Sequence, residues 1–206
     1  MTRRQTLTLA AIVAPSIILA GFGFSHPHDL VRENANWWLL LHLILMPLFP
    51  LLGVAVWIVL RGYSGLLAWG ARASALLFIV FYGALDAIAG VGVGAVMVAS
   101  GAASDNDVAS IQSLYAIANK LGLLGAIFFL VAGVLAAAAI ARAGAKWGLL
   151  LPGAVVLIVA DAFFLRSHIY WPVGVFTVLG IGLGLALLEV SKKLSDRNTP
   201  TPAAGK

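Results

Sequence analysis

The chain contains no cysteine and little charge. The first absence removes disulfides, thiolate metal sites, iron–sulfur clusters and dithiol redox chemistry. The second is sharper: 10% of the residues are charged, against roughly 25% in an average soluble domain. With 62% hydrophobic residues and a mean hydropathy of +1.02, this composition is that of a polytopic membrane protein. A length of 206 residues leaves room for several spans but not for a separate soluble domain. The formal charge of +5 carries no nucleic-acid implication, because no basic stripe with interleaved aromatics is present. Sequence repeats are also lacking, so an inverted-repeat transporter is not supported.

What is present is a series of long apolar runs, at 5–24, 37–60, 73–99, 119–141, 147–167 and 172–190. Each can cross a hydrocarbon core of roughly 30 Å. An all-α, antiparallel bundle of six transmembrane helices is expected, forming one domain over 1–190, with 191–206 as a mobile cytoplasmic tail. Arg3, Arg4, Arg61, Arg72, Arg142, Lys146, Lys192, Lys193, Arg197 and Lys206 fall on the side of the termini, and Arg32, Lys120 and Arg166 on the other. By the positive-inside rule both termini are cytoplasmic, in what we expect to be a bacterial inner membrane. The first run also has features of a signal peptide, but Pro15 interrupts it and no A-x-A pattern precedes Phe22, so a retained helix is expected. Segment 105–118 reads as an outer extension of the fourth helix. Trp37, Trp38, Tyr170 and Trp171 read as an outer aromatic belt, and Trp147 as an inner one.

The polar residues of the spans gather at one depth. At about 1.5 Å per residue, His42 lies roughly 7 Å below the outer edge and Asp86 roughly 12 Å, with Asp161 in the same outer third. His26, His28, Lys120 and His168 sit just above them, while the inner half reads as nearly free of ionisable groups. A carboxylate inside a span costs roughly 2.5–3.5 kcal/mol on insertion scales, so this layer is a functional-site hypothesis. Asp86 borders a stripe of small residues, Gly83, Ala87, Gly90 and Gly94, along which another helix can approach, and it should face protein. Gly180 and Gly184 read as a second packing stripe. Lys120 is placed to pair with either carboxylate, or to reach to the interface. His42 and Met46, one turn apart, form a nitrogen and thioether pair suited to copper. Pro47 and Pro50 are expected to bend the helix beneath them, and Gly62-Tyr63-Ser64-Gly65 reads as a turn.

These residues point to a metal site of His42, His168, His26 and His28, with Asp86 and Asp161 as catalytic carboxylates, and to zinc, copper or haem iron as occupant. No H-x-x-x-H or H-E-x-x-H pair is present, so the fold must assemble the histidines. Placing His and Asp together within helices loosely resembles the intramembrane hydrolases of the ceramidase and adiponectin-receptor group. The chain lacks their closely spaced terminal His pair and has fewer spans, so neither residues nor activity carry over. Three function classes stay open: redox or hydrolytic chemistry on lipid or extracytoplasmic substrates, a non-catalytic subunit or assembly factor binding partner helices or a second copy, and a small transporter. The apolar inner half weighs against the last.

Overall fold

A computed structural model describes residues 2–196, with side chains to Lys192. It contains six helical spans. With no water in the hydrocarbon to satisfy backbone groups, a helix is the form these apolar runs must take. The spans are α1 (Arg3–Gly23), α2 (Ala35–Val59), a third made of α3 (Leu66–Leu85), a π-helical turn (Asp86–Gly92) and α4 (Val93–Ser100), then α5 (Ala109–Arg142), α6 (Trp147–Ser167) and α7 (Val173–Asp196). A capping box between Thr2 and Gln5 starts α1. Gly101, with φ of 60°, stops α4 in the left-handed conformation that glycine adopts without a Cβ penalty.

Neighbours in the chain are neighbours in space, from α1 against α2 round to α6 against α7, and α7 closes the ring on α1. Small residues set the closest seams. A Cβ at Gly125 of α5 would stand 2.8 Å from the Tyr82 backbone nitrogen of α3, and one at Gly184 of α7 would stand 2.7 Å from Leu157 Cβ of α6. Gly180 likewise faces Ala160, as packing requires. One large apolar core runs through the bundle. A satellite core of Leu30, Ala35, Trp38, Val93, Met97 and Ile111 lies at the end far from the termini. There the 24–34 and 101–108 segments are pinned by a β-bridge between Val31 and Ser104.

Several expectations need correction. The third span begins at Leu66, not 73, because Arg72 is part of the helix: it is buried, and its guanidinium donates to the carbonyls of Leu60 (2.7 Å) and Tyr63 (3.0 Å). The fourth span, α5, begins at Ala109, and Asp105 and Asp107 of its expected extension occupy a separate 3₁₀ turn before it. The last helix continues past 190 to Asp196 with Ser191 and Lys192 buried, so 191–196 belong to the bundle and not to the expected tail; the rest of that expectation, 197–206, lies outside the described residues. The inner half is not free of charge, since Glu189 is fully buried there and meets Lys192 at 2.7 Å. α2 remains helical through Pro47 and Pro50. The 60–65 segment is a turn, as expected, with positive φ at Gly62 and Gly65.

Candidate metal centre

Three imidazoles from three elements meet at the far end. His26 comes from the segment after α1, His42 from α2 and His168 from the C-terminal end of α6. Their candidate ligand atoms all lie within 4.8 Å of one another. The local sequence explains each position. Pro27 biases His26 to an extended conformation, turning the chain back over the bundle. Gly23 lets that turn approach closely, because a Cβ there would strike the Ile169 carbonyl in the linker that follows His168. Gly90 does the same for His42: its missing Cβ leaves the volume that the imidazole ring fills. His168 has φ of 43° and ψ of −132°, a conformation that costs a non-glycine residue roughly 1–3 kcal/mol and tends to mark functional sites.

Hydrogen bonding orients the rings. Nδ1 of His26 lies 2.8 Å from the Pro27 carbonyl, and Nδ1 of His42 lies 2.8 Å from the Trp38 carbonyl. A carbonyl only accepts, so in each neutral ring Nδ1 holds the proton and Nε2 presents a lone pair. Those two Nε2 atoms face each other at 3.4 Å, an arrangement that a shared cation satisfies. His168 Nδ1 pairs with the hydroxyl of buried Tyr82 at 2.7 Å. Burial pushes the His26 imidazole down to about 3 and that of His168 well below its ordinary value, so both stay neutral, the form that ligates. Trp38 and Tyr170 enclose His26 at ring distances of 5.1 and 4.4 Å. Burial, then Asp29 and Asp86, raise the Tyr170 phenol to about 12, so it too stays neutral.

Asp86 is the first residue of the π turn, a helical irregularity frequent at functional sites. Its Oδ1 is 4.0 Å from His42 Nε2, and neither oxygen has a hydrogen-bond partner although the residue is 1% exposed. As the glycine stripe implied, it faces protein. A cavity of about 210 Å³ adjoins it, lined by His42, Tyr82, Asp86, Gly90 and His168, and also by Asn119 and Leu123 of α5 and Leu165 and Arg166 of α6.

Other expected members lie elsewhere. Asp161 is buried and lacks a hydrogen-bond partner, but it is not on the cavity wall; its Oδ2 faces Gly133 of α5. His28 is exposed, with Nε2 3.1 Å from the Trp171 carbonyl, and is not in the cluster. Met46 is 40% exposed while His42 is buried, so no thioether joins the site. Lys120 is exposed and makes no ion pair with Asp86 or Asp161. Gly90 and Gly94 seat α2, but Gly83 faces open space because the π turn shifts the register between them. Tyr82 was missed, though it stands one turn before Asp86. Trp38, read as belt, is buried and donates to the Gly90 carbonyl at 3.2 Å. Compared with protein-family models, curated proteins and solved structures, the chain matches none.

Proposed function

We propose that the chain is a metal-dependent hydrolase of a bacterial cytoplasmic membrane, with cytoplasmic termini and its centre at the outer face. The orientation rests on the basic residues, which concentrate at the end carrying the termini. The observation that carries the chemistry is the set of three neutral imidazoles beside a buried, unpartnered carboxylate. Three imidazoles with no thiolate or thioether suit zinc, and three protein ligands with a fourth position open are the arrangement of catalytic zinc. Two metal–nitrogen bonds of about 2.0–2.1 Å at a tetrahedral angle separate their nitrogens by about 3.4 Å, the His26–His42 distance. No pair of candidate ligand atoms is more than 4.8 Å apart.

A zinc ion held by these three imidazoles would supply a Lewis acid and an acidified water. Asp86 accepts the proton, and its lack of any other partner leaves both oxygens free for it. Tyr82 orients His168 as an outer-shell partner. Elemental analysis of the detergent-purified protein tests the reading. Stoichiometric zinc is expected in the wild type, with loss in the His42→Ala, His168→Ala double variant; equal metal content in the two would overturn it.

A further inference from the structure

The cavity has a side entrance, and the entrance has a chemical character. The segments at this end of the bundle are tied together, and to Tyr115 of the cavity wall: Arg32 N donates to the Ala103 carbonyl at 3.1 Å, Asp105 N donates to the Leu30 carbonyl at 3.2 Å, and the Tyr115 hydroxyl donates to Asp105 Oδ2 at 3.2 Å. The wall between α5 and α6 is different. Asn119, Leu123 and Arg166 all line the cavity and are all exposed, so the space opens laterally between these two helices.

Depth places that opening at the headgroup boundary. α5 is 34 residues long, about 51 Å at 1.5 Å per residue, and exceeds a core of roughly 30 Å. Counting about 20 residues up from Arg142 reaches Gly122, so Leu123 meets acyl chains while Asn119 and Lys120 meet headgroups. On α6, Leu165 and Arg166 straddle the same level, near the end of a 21-residue span. Of the three basic residues on this side of the membrane, Lys120 and Arg166 both stand on the helices that border the opening. Cations above and leucines below fit a phosphate with acyl chains beneath it. Asp86, His42 and His168 line the same cavity as Asn119, Leu123 and Arg166, so the acyl ester of a lipid seated there would come within reach of them.

We infer that the substrate is a phosphate-bearing acyl lipid of the outer leaflet, which enters between α5 and α6 with its phosphate against Lys120 and Arg166. This rests on the hydrolase reading above. In the reaction a water oxygen bonds to the acyl carbonyl carbon and the ester carbon–oxygen bond breaks. The proton taken by Asp86 passes to the departing alkoxide, so one water yields one fatty acid and one lysolipid alcohol.

The test compares phosphatidylglycerol, diacylglycerol with the same chains, and a soluble p-nitrophenyl ester, in mixed micelles with zinc-loaded protein. Faster turnover of phosphatidylglycerol than of the other two is expected. The Lys120→Ala, Arg166→Ala double variant should raise KM for phosphatidylglycerol about tenfold while kcat holds, each cation near a membrane surface contributing to phosphate attraction. Equal turnover of all three compounds, or an unchanged KM in the variant, overturns the inference while leaving the hydrolase reading intact. Native mass spectrometry of chelator-treated protein supplies a second readout. Preferential retention of phosphatidylglycerol, lost in the double variant, supports the entry route independently of turnover; retention with no hydrolysis of any of the three compounds overturns the hydrolase reading, and the lipid's role as substrate with it, but not the entry route.

Discussion

Both ends of the bundle bury charged or polar side chains, but they resolve the burial differently. At the end carrying the termini, Arg72 donates to the carbonyls of Leu60, at the close of α2, and of Tyr63 in the turn that follows, and Lys192 reaches the Val59 carbonyl at 2.7 Å while pairing with Glu189. These cations satisfy the orphan carbonyls of a helix C-terminus, a structural task. At the far end, Asp86 has no hydrogen-bond partner, two imidazole lone pairs face each other, and His168 is held in a strained conformation. Burial whose cost is met by bonds within the chain is architecture. Burial left unmet points to something bound.

The comparison breaks most directly through one substitution at each end. Arg72→Ala removes two charge-assisted hydrogen bonds, one buried and one part-buried, and should destabilise the protein by about 3 kcal/mol, read by denaturant unfolding in detergent, with zinc content unchanged. Asp86→Asn should do the reverse: stability within about 1 kcal/mol of wild type, because no bond is lost, and hydrolysis reduced at least about 100-fold. If Asp86→Asn proved the more destabilising of the two, the division between the ends would fail.

A smaller effect sharpens the far end. Tyr82→Phe keeps the ring but removes the hydroxyl that meets His168 at 2.7 Å, and should weaken zinc affinity about 10–100-fold by competition titration. An affinity equal to wild type would make Tyr82 a packing residue only.

The smallest effect concerns pH. In zinc-free protein, His26 released from its site takes a proton near its ordinary value of 6.5, whereas docked it does so only at about 3. Docking is therefore at full strength above pH 6.5 and weakens progressively as the pH falls toward 3. Amide exchange over 24–31, corrected for intrinsic rate, should rise across that interval in the wild type and stay flat in His26→Asn. A rise of the same size in both would assign the loosening to another group.

Local pattern made much of this protein legible. Apolar runs of bilayer length give the six helices, because in hydrocarbon nothing else satisfies their backbone. The penalty on an intramembrane carboxylate implied that Asp86 faces protein, and it does. The common depth of the histidines followed from counting residues. Arg72 and Glu189 were less legible: a charge at a span's edge reads alike whether it meets solvent or caps a neighbouring helix. Depth alone also gave Asp86 and Asp161 equal standing, and only the packing separates them. One borders the cavity, while the other turns toward Gly133. Counting at 3.6 residues per turn fails across the π turn, so Gly83 and Gly90 point to different surroundings. Composition and periodicity belong to one segment at a time, so they determined which groups stand on the apolar helices and how far along each. Convergence is a property of segments held together: the ring of helices, the Gly23 and Gly90 approaches and the backbone of His168 decided which of those groups meet.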